Sequence, residues 1–241
     1  IFAMSRVLFN ALGMTASLHM LLMILGTVSI MVGALMALRE DDFKRALAYH
    51  GVSEVGFIML AFGIGTRPAI AAALIYIVTH AVYKTLLFLS AGAMERATGT
   101  SDLRRLGGIK HSMPVTGAAS VVGSLSISGI PPFGGFWARF FIIVAVVQAE
   151  RYGYAAWAVA GSILTLASFA RIQKRLANGS SGVAPAVKEV PALMQASMIA
   201  LAVLCLATAL LWLPQVHEGF FMPAAKIIQE GVTYGSSILG M

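Results

Sequence analysis

The sequence predicts an all-α polytopic membrane protein with about six transmembrane helices, one of them broken mid-membrane. Three observations carry that expectation. Of the 241 residues, 59% are hydrophobic and only 11% charged, too little charge to cover a soluble domain of this length. Several uninterrupted apolar runs reach or approach the ~20 residues that a helix needs to cross ~30 Å of hydrocarbon. The tract GIPPFGG interrupts a further apolar stretch, and its Pro131 and Pro132, with Gly129, Gly134 and Gly135, cannot continue a helix. The runs are continuous instead of alternating, which argues against a transmembrane barrel.

The chain opens at Ile1, not Met, in what reads as the end of a preceding helix over 1–13. It shows no short apolar core followed by a small-residue cleavage site. Either the N-terminus is processed or this is one piece of a longer protein. The first full span is expected at 15–38, where it meets Arg39, Glu40, Asp41 and Asp42. A third helix follows at 46–63, then the turn GTRP, then a helix at 69–94 that ends in the longest basic loop, 95–114. Residues 115–149 are either two short spans or one long span broken at the prolines. A span at 154–170 precedes a polar segment and the cytoplasmic loop 176–190. The last transmembrane helix is 191–213, and the tail 214–241 carries a weak amphipathic signal for an interfacial helix.

The basic residues decide how 115–149 crosses. With one broken span, the loops at 39–45, 95–112 and 171–188 share a side. They hold Arg39, Lys44, Arg45, Arg96, Arg104, Arg105, Lys110, Arg171, Lys174, Arg175 and Lys188, 11 of the 17 basic residues. The other side keeps Arg6, Arg67, Arg151 and Lys226. Two spans would move the 171–188 cluster across and largely erase the asymmetry. The positive-inside rule therefore favours one interrupted helix, with the basic loops cytoplasmic; the expected location is a prokaryotic plasma membrane. The net charge of +7 is then a matter of orientation, and nucleic acid is not expected as a partner.

The chemistry is expected in the run IYIVTHAVYKTLLFLSAG, which carries His80 and Lys84 in its interior. A charged residue at such depth costs roughly 2.5–3.5 kcal/mol on insertion scales. The i, i+4 spacing puts both side chains on one helical face, with Tyr76 one turn further back. Lys84 sits too deep to snorkel readily, and an imidazole one turn from an amine forms a coupled pair suited to passing a proton. Arg139, just after the break, is the second intramembrane charge. It cannot release a proton, so it either holds a field or water chain, or snorkels. Glu54 lies on the face of His50 in the third helix and joins Asp42, Lys44 and Arg45 in a charged intake group. The signs of Lys44 and Glu54 allow them to pair with each other or with a neighbouring subunit.

The remaining candidates carry little. His19 reads as structural, and His111 and His217 fall in loops. A single cysteine, Cys205, inside an apolar run excludes a disulfide framework and a cysteine metal site. No metal-ligand spacing, phosphate loop, dinucleotide fingerprint or nucleophile elbow is present. The sequence thus predicts no active site of its own, no metal and no cofactor.

Four motifs in order, DDFKRALAYHGVSEVG, THAVYKTLLFLSAGA, GTSDLRRLGGIKHSMP and SISGIPPFGGFWARF, resemble the antiporter-like proton-conducting subunits of the complex I, membrane-bound hydrogenase and multi-subunit cation/proton antiporter superfamily. The match runs to about Arg175. The resemblance implies a fourteen-helix fold with two inverted five-helix repeats, each containing a broken helix. This chain matches only the C-terminal half: the end of the eighth helix at 1–13, then one five-helix repeat with a half-channel at 14–175. The first half-channel would be supplied by a separate chain, or is absent. Within the resemblance, Lys44 matches the lysine that leads to the central axis, and His80 and Lys84 match the central relay. Arg139 stands where the family has a lysine or glutamate at the exit, Tyr76 where several members have a second histidine, and Glu54 where histidine or glutamine is common. The implied function is translocation of H+ or Na+, most simply protons, by a subunit or split half-subunit of a redox-driven respiratory or hydrogenase-type complex, with other membrane subunits and the bilayer as partners. The alternatives are a sodium/proton antiporter complex without redox chemistry, and a structural module whose channel Arg139 has disabled.

Overall fold

A computed structural model describes residues 2–178 and 187–230. Every regular element among them is helical, and the chain is an integral, multi-pass membrane protein. A short N-terminal helix, α1 (Phe2–Arg6), continues as a wider turn through Val7–Leu12. The spans α2 (Ala16–Arg39), α3 (Phe43–Ile64) and α4 (Arg67–Thr98) follow. The loop after α4 holds a single turn, α5 (Ile109–Ser112). The half-helices α6 (Pro114–Ile127) and α7 (Gly134–Gln148) come next, then α8 (Tyr152–Ala177). The last long helix, α9 (Ala192–Ala207), tightens into a 3-10 turn through Trp212. Two short pieces, α10 (Pro214–Val216) and α11 (Met222–Gln229), complete the described chain. Most of the expected cytoplasmic loop 176–190 and the end of the tail lie outside the described residues.

Local chemistry places the helix ends. Thr15 caps α2, its hydroxyl accepting from Leu18 N at 3.3 Å, and Asp42 caps α3 by accepting from Arg45 N at 2.9 Å. Gly65 (φ +73°) and Gly99 (φ +73°) end α3 and α4 in the left-handed conformation that glycine adopts without strain. The antiparallel pair α2–α3 is held by backbone contact. A Cβ at Gly26 would lie 2.7 Å from the carbonyl oxygen of Gly56, and Ser53 Oγ donates to the Ile30 carbonyl at 3.0 Å. Small residues that let membrane helices approach this closely replace the hydrophobic drive that lipid cannot supply.

The two ends of the bundle are chemically distinct, and they settle the crossing of 115–149. At one end, Arg171 and Arg175 of α8 reach Asp41 between α2 and α3, and Leu103 N donates to the Asp41 carbonyl at 2.8 Å. The three basic loops therefore meet. The side-chain hydrogen bond from Arg175 holds the Asp41 carboxyl below its ordinary pKa, and hydrogen bonds from Arg104 hold that of Asp102 down to about 2. At the opposite end, a ring nitrogen of His19 lies 2.7 Å from the Gly63 carbonyl. Ala16, Gly63, Ala149, Arg151 and Tyr154 line one cavity of about 540 Å³ there.

The start of α6 lies at the basic end and the end of α7 at the other, so the pair makes one crossing. Neither half suffices alone: 14 and 15 residues are about 21 and 22 Å at 1.5 Å per residue. Gly129 turns at φ +70° within the break. Gly135, in the first turn of α7, lies so close to the Ser126 carbonyl that a side chain there would collide with it. With α2, α3, α4, α8 and α9 extended through Trp212, which are long and apolar enough to cross a membrane, the described residues make six crossings.

The tail packs back along the bundle. Ala225 and Ile228 of α11 are buried, Gln229 Nε2 donates to the Gly65 carbonyl at 3.0 Å, and Arg67 pairs with Glu230 at 2.8 Å.

Candidate functional site

The site forms where α3, α4 and α7 meet beside the break. Glu54, two to three turns into α3, is fully buried. It does not stand with Asp42, Lys44 and Arg45, where the sequence suggested a charged intake group; it is the hub of the interior charges. Its Oε2 lies 3.2 Å from His80 Nε2 and 3.9 Å from Lys84 Nζ, and its Oε1 lies 3.9 Å from Arg139 Nη2. Tyr83 Oη donates to Glu54 Oε1 at 3.0 Å. One carboxylate thus faces three basic side chains and a phenol.

Each partner is positioned by its own helix. His80 and Lys84 project from one face of α4, as their spacing predicts. The Lys84 amine donates to the Leu47 carbonyl on α3 and lies 5.6 Å from the Phe88 ring centre. It reaches α3 because Gly51 leaves room: a Cβ there would stand 3.1 Å from Nζ. Arg139 does not snorkel; its side chain is only 5% exposed. Nη2 donates to Tyr76 Oη at 3.1 Å and to the Ile127 carbonyl at 3.0 Å, one of the acceptors freed where α6 ends. Its guanidinium also lies 4.9 Å from the Phe57 ring centre.

Of the six residues singled out in the sequence, the structure brings together Glu54, Tyr76, His80, Lys84 and Arg139. Lys44 stands apart. It pairs with Glu95 at the basic end, both side chains being about two-fifths exposed, and not with Glu54. Sequence reasoning missed Tyr83, whose signal was a phenol one helical turn from His80 inside the same apolar run. It also left unused His50, which is buried and shares a 2.9 Å hydrogen bond with Ser168 of α8. No group of three or more histidines, cysteines or carboxylates fit to hold a metal is found among the described residues.

The arrangement can hold a proton in several places. Glu54, His80 and Lys84 can each carry a proton, and the Glu54 carboxylate lies 3.2 Å from His80 and 3.9 Å from Lys84, while Arg139 contributes a constant positive charge. A hard cation needs several oxygen ligands, whereas here the single carboxylate is already ringed by basic groups.

Comparison with known proteins places this geometry in context. A family model described as NADH:quinone oxidoreductase/Mrp antiporter, TM, matches residues 1–165. The chain is 42% identical over 154 residues to a Na(+)/H(+) antiporter subunit from Alkalihalophilus pseudofirmus, covering 64% of this chain and 31% of that protein. It is 34% identical over 213 residues to the Hydrogenase-4 component B of Escherichia coli, covering 79% and 32%. It superimposes on a chain of respiratory complex I from Thermus thermophilus with a TM-score of 0.79 and 27% identity, covering 90% of this chain and 45% of that one. The chain spans less than half the length of each of these proteins.

Proposed function

Because this chain belongs to the NADH:quinone oxidoreductase/Mrp antiporter transmembrane family, we propose that it forms one half-channel of an ion-translocating membrane subunit, and that the ion is the proton. The observation that carries this reading is Glu54 held within 3.2 Å of His80 and 3.9 Å of both Lys84 and Arg139. Burying this many charges is expensive, and a packing role needs none of them. A proton arriving on Glu54 weakens its hold on His80 and Lys84. A proton leaving Lys84 removes a charge that stabilises the Glu54 anion. Occupancy at one member therefore biases the next, as a relay requires, and Arg139 keeps the site from emptying of positive charge.

The reading extends to partners. His80 and Lys84 remain 22% and 14% exposed, at a bundle edge flanked by Val52, Val78 and Phe88, which are 48%, 43% and 37% exposed. An open apolar edge beside His80 and Lys84 is suited to cover by a second membrane chain, one supplying a first half-channel. In this proposal the whole is a redox-driven respiratory or hydrogenase-type complex in a prokaryotic plasma membrane, with the basic end cytoplasmic. The likeness to a Na(+)/H(+) antiporter subunit favours a complex without redox chemistry as the second reading. Arg139, buried and ion-paired, favours a third, in which the channel is closed and the chain serves as structure.

The test is proton flux in vesicles containing the complex purified through a tag on this chain. Lys84→Ala abolishing flux with the complex intact is the expected result. Unchanged pumping by that variant overturns the relay. Flux that rises in Arg139→Lys supports the closed channel.

A further inference from the structure

The resemblance makes the position of Arg139 the exit of the half-channel. The side chains found around Arg139 also connect it to the basic end. From the basic end, Glu189 accepts from Val115 N at 2.9 Å, Thr116 N at 3.3 Å and Thr116 Oγ1 at 2.6 Å at the start of α6. One turn deeper lies Ser120 and another turn deeper Ser124, each step about 6 Å along the helix. Gln173 of α8 bridges them, its Nε2 donating to Ser124 Oγ at 2.6 Å and Ser120 Oγ at 3.0 Å. Beyond Ser124, α6 ends at the carbonyl of Ile127, which Arg139 holds. Thr116, Ser120 and Ser124 are all buried, so the line is internal.

Small hydroxyl residues on a membrane helix ordinarily serve close packing, and packing alone would leave their neighbours satisfied. Here several are not. Arg139 Nε and Nη1, Ser126 Oγ and Gln173 Oε1 are buried without a protein hydrogen-bond partner. Arg139 and Ser126 are 4% and 0% exposed. Buried polar atoms are almost always paired with protein or water, and a guanidinium with two idle donors in a membrane interior calls for water acceptors.

We propose that α6 and α8 enclose a hydrated path from Glu189 at the basic end to Arg139 at the break, with Gln173 as its narrowest polar contact. Its ligand is water, and it gives the Glu54 cluster a second connection to the side of the basic loops. The significance for proton delivery rests on the reading above; the existence of the path does not.

The test separates the two. In the complex within membrane vesicles, with Cys205→Ser as background, Ser120→Cys, Ser124→Cys and Val122→Cys are exposed to a charged, membrane-impermeant thiol reagent from the basic-loop side. Val122 lies between the two serines in depth but lines an apolar groove with Ala202 and Val203 of α9. Labelling of both serine positions at least tenfold faster than Val122→Cys is expected, with Gln173→Leu slowing the reaction at Ser124→Cys several-fold. Equal or absent labelling at all three positions, with a cysteine placed at Lys110 labelled as the control, overturns the path. This holds whether or not the complex conducts protons. Where it does conduct, Gln173→Leu is expected to lower flux several-fold. Unchanged flux alongside slowed labelling overturns a role for the path in delivery.

Discussion

Replacing Glu54 with glutamine removes the carboxylate that, among the described residues, faces the three interior basic groups His80, Lys84 and Arg139. At an effective dielectric of about 20, a unit charge pair 3.9 Å apart interacts by roughly 4 kcal/mol. Removing one partner of a buried pair costs about 3–5 kcal/mol, because the other is left buried and uncompensated. Arg139 bears that cost most directly, since it cannot shed its proton; Lys84 and His80 can. At about 2–4 °C per kcal/mol for a chain of this size, Glu54→Gln is expected to lower the unfolding temperature in detergent by about 6–20 °C. The decisive arm is the double variant Glu54→Gln/Arg139→Met, which removes the stranded charge and should recover at least half of the loss. The pair is close enough that the two effects cannot add. A single variant within 2 °C of the parent, or a double variant no more stable than the single, refutes the claim that Glu54 and Arg139 compensate each other.

Three further outcomes are expected. Gly51→Val crowds the Lys84 amine, which a Cβ would meet at 3.1 Å; flux should fall several-fold while thermal stability moves little, measured on the same preparation. Gly56→Val drives a side chain into α2, where its Cβ alone would lie 2.7 Å from Ile30 N. Overpacking of this kind costs about 1–3 kcal/mol, read as a lower unfolding temperature with no specific effect on flux per folded complex. The carboxyls of Asp41 and Asp102 are held below their ordinary pKa by arginines. Their contribution to stability is therefore complete above the unfolded value of about 4 and is lost as the pH falls through the lower folded values, to about 2 for Asp102. Asp41→Asn should destabilise the chain at pH 7, with the difference from the parent shrinking below about pH 4; a difference that persists unchanged at pH 2 contradicts this.

Much of this molecule is legible residue by residue. Apolar length marks the spans. The paired prolines and flanking glycines mark the break, because both act on their own backbone. The loop arginines argued for a single broken crossing before the shared contacts at Asp41 showed it. His80 and Lys84 announce themselves because a charge in hydrocarbon is costly wherever it occurs. Their shared face follows from helical geometry alone.

What tertiary structure decided is which charges meet. Glu54 reads in sequence as part of a group near Lys44, yet it sits with Tyr83, 29 positions away, and with Arg139 on a third helix. Lys44, on the same helix as Glu54, turns to Glu95 instead. Gln173 finds Ser120 and Ser124 across 53 and 49 positions. The periodicity of a helix states which residues share its face but not towards which neighbour that face is rotated. That rotation is set by where glycines let backbones touch and where the break frees a carbonyl, and only the packed bundle fixes both.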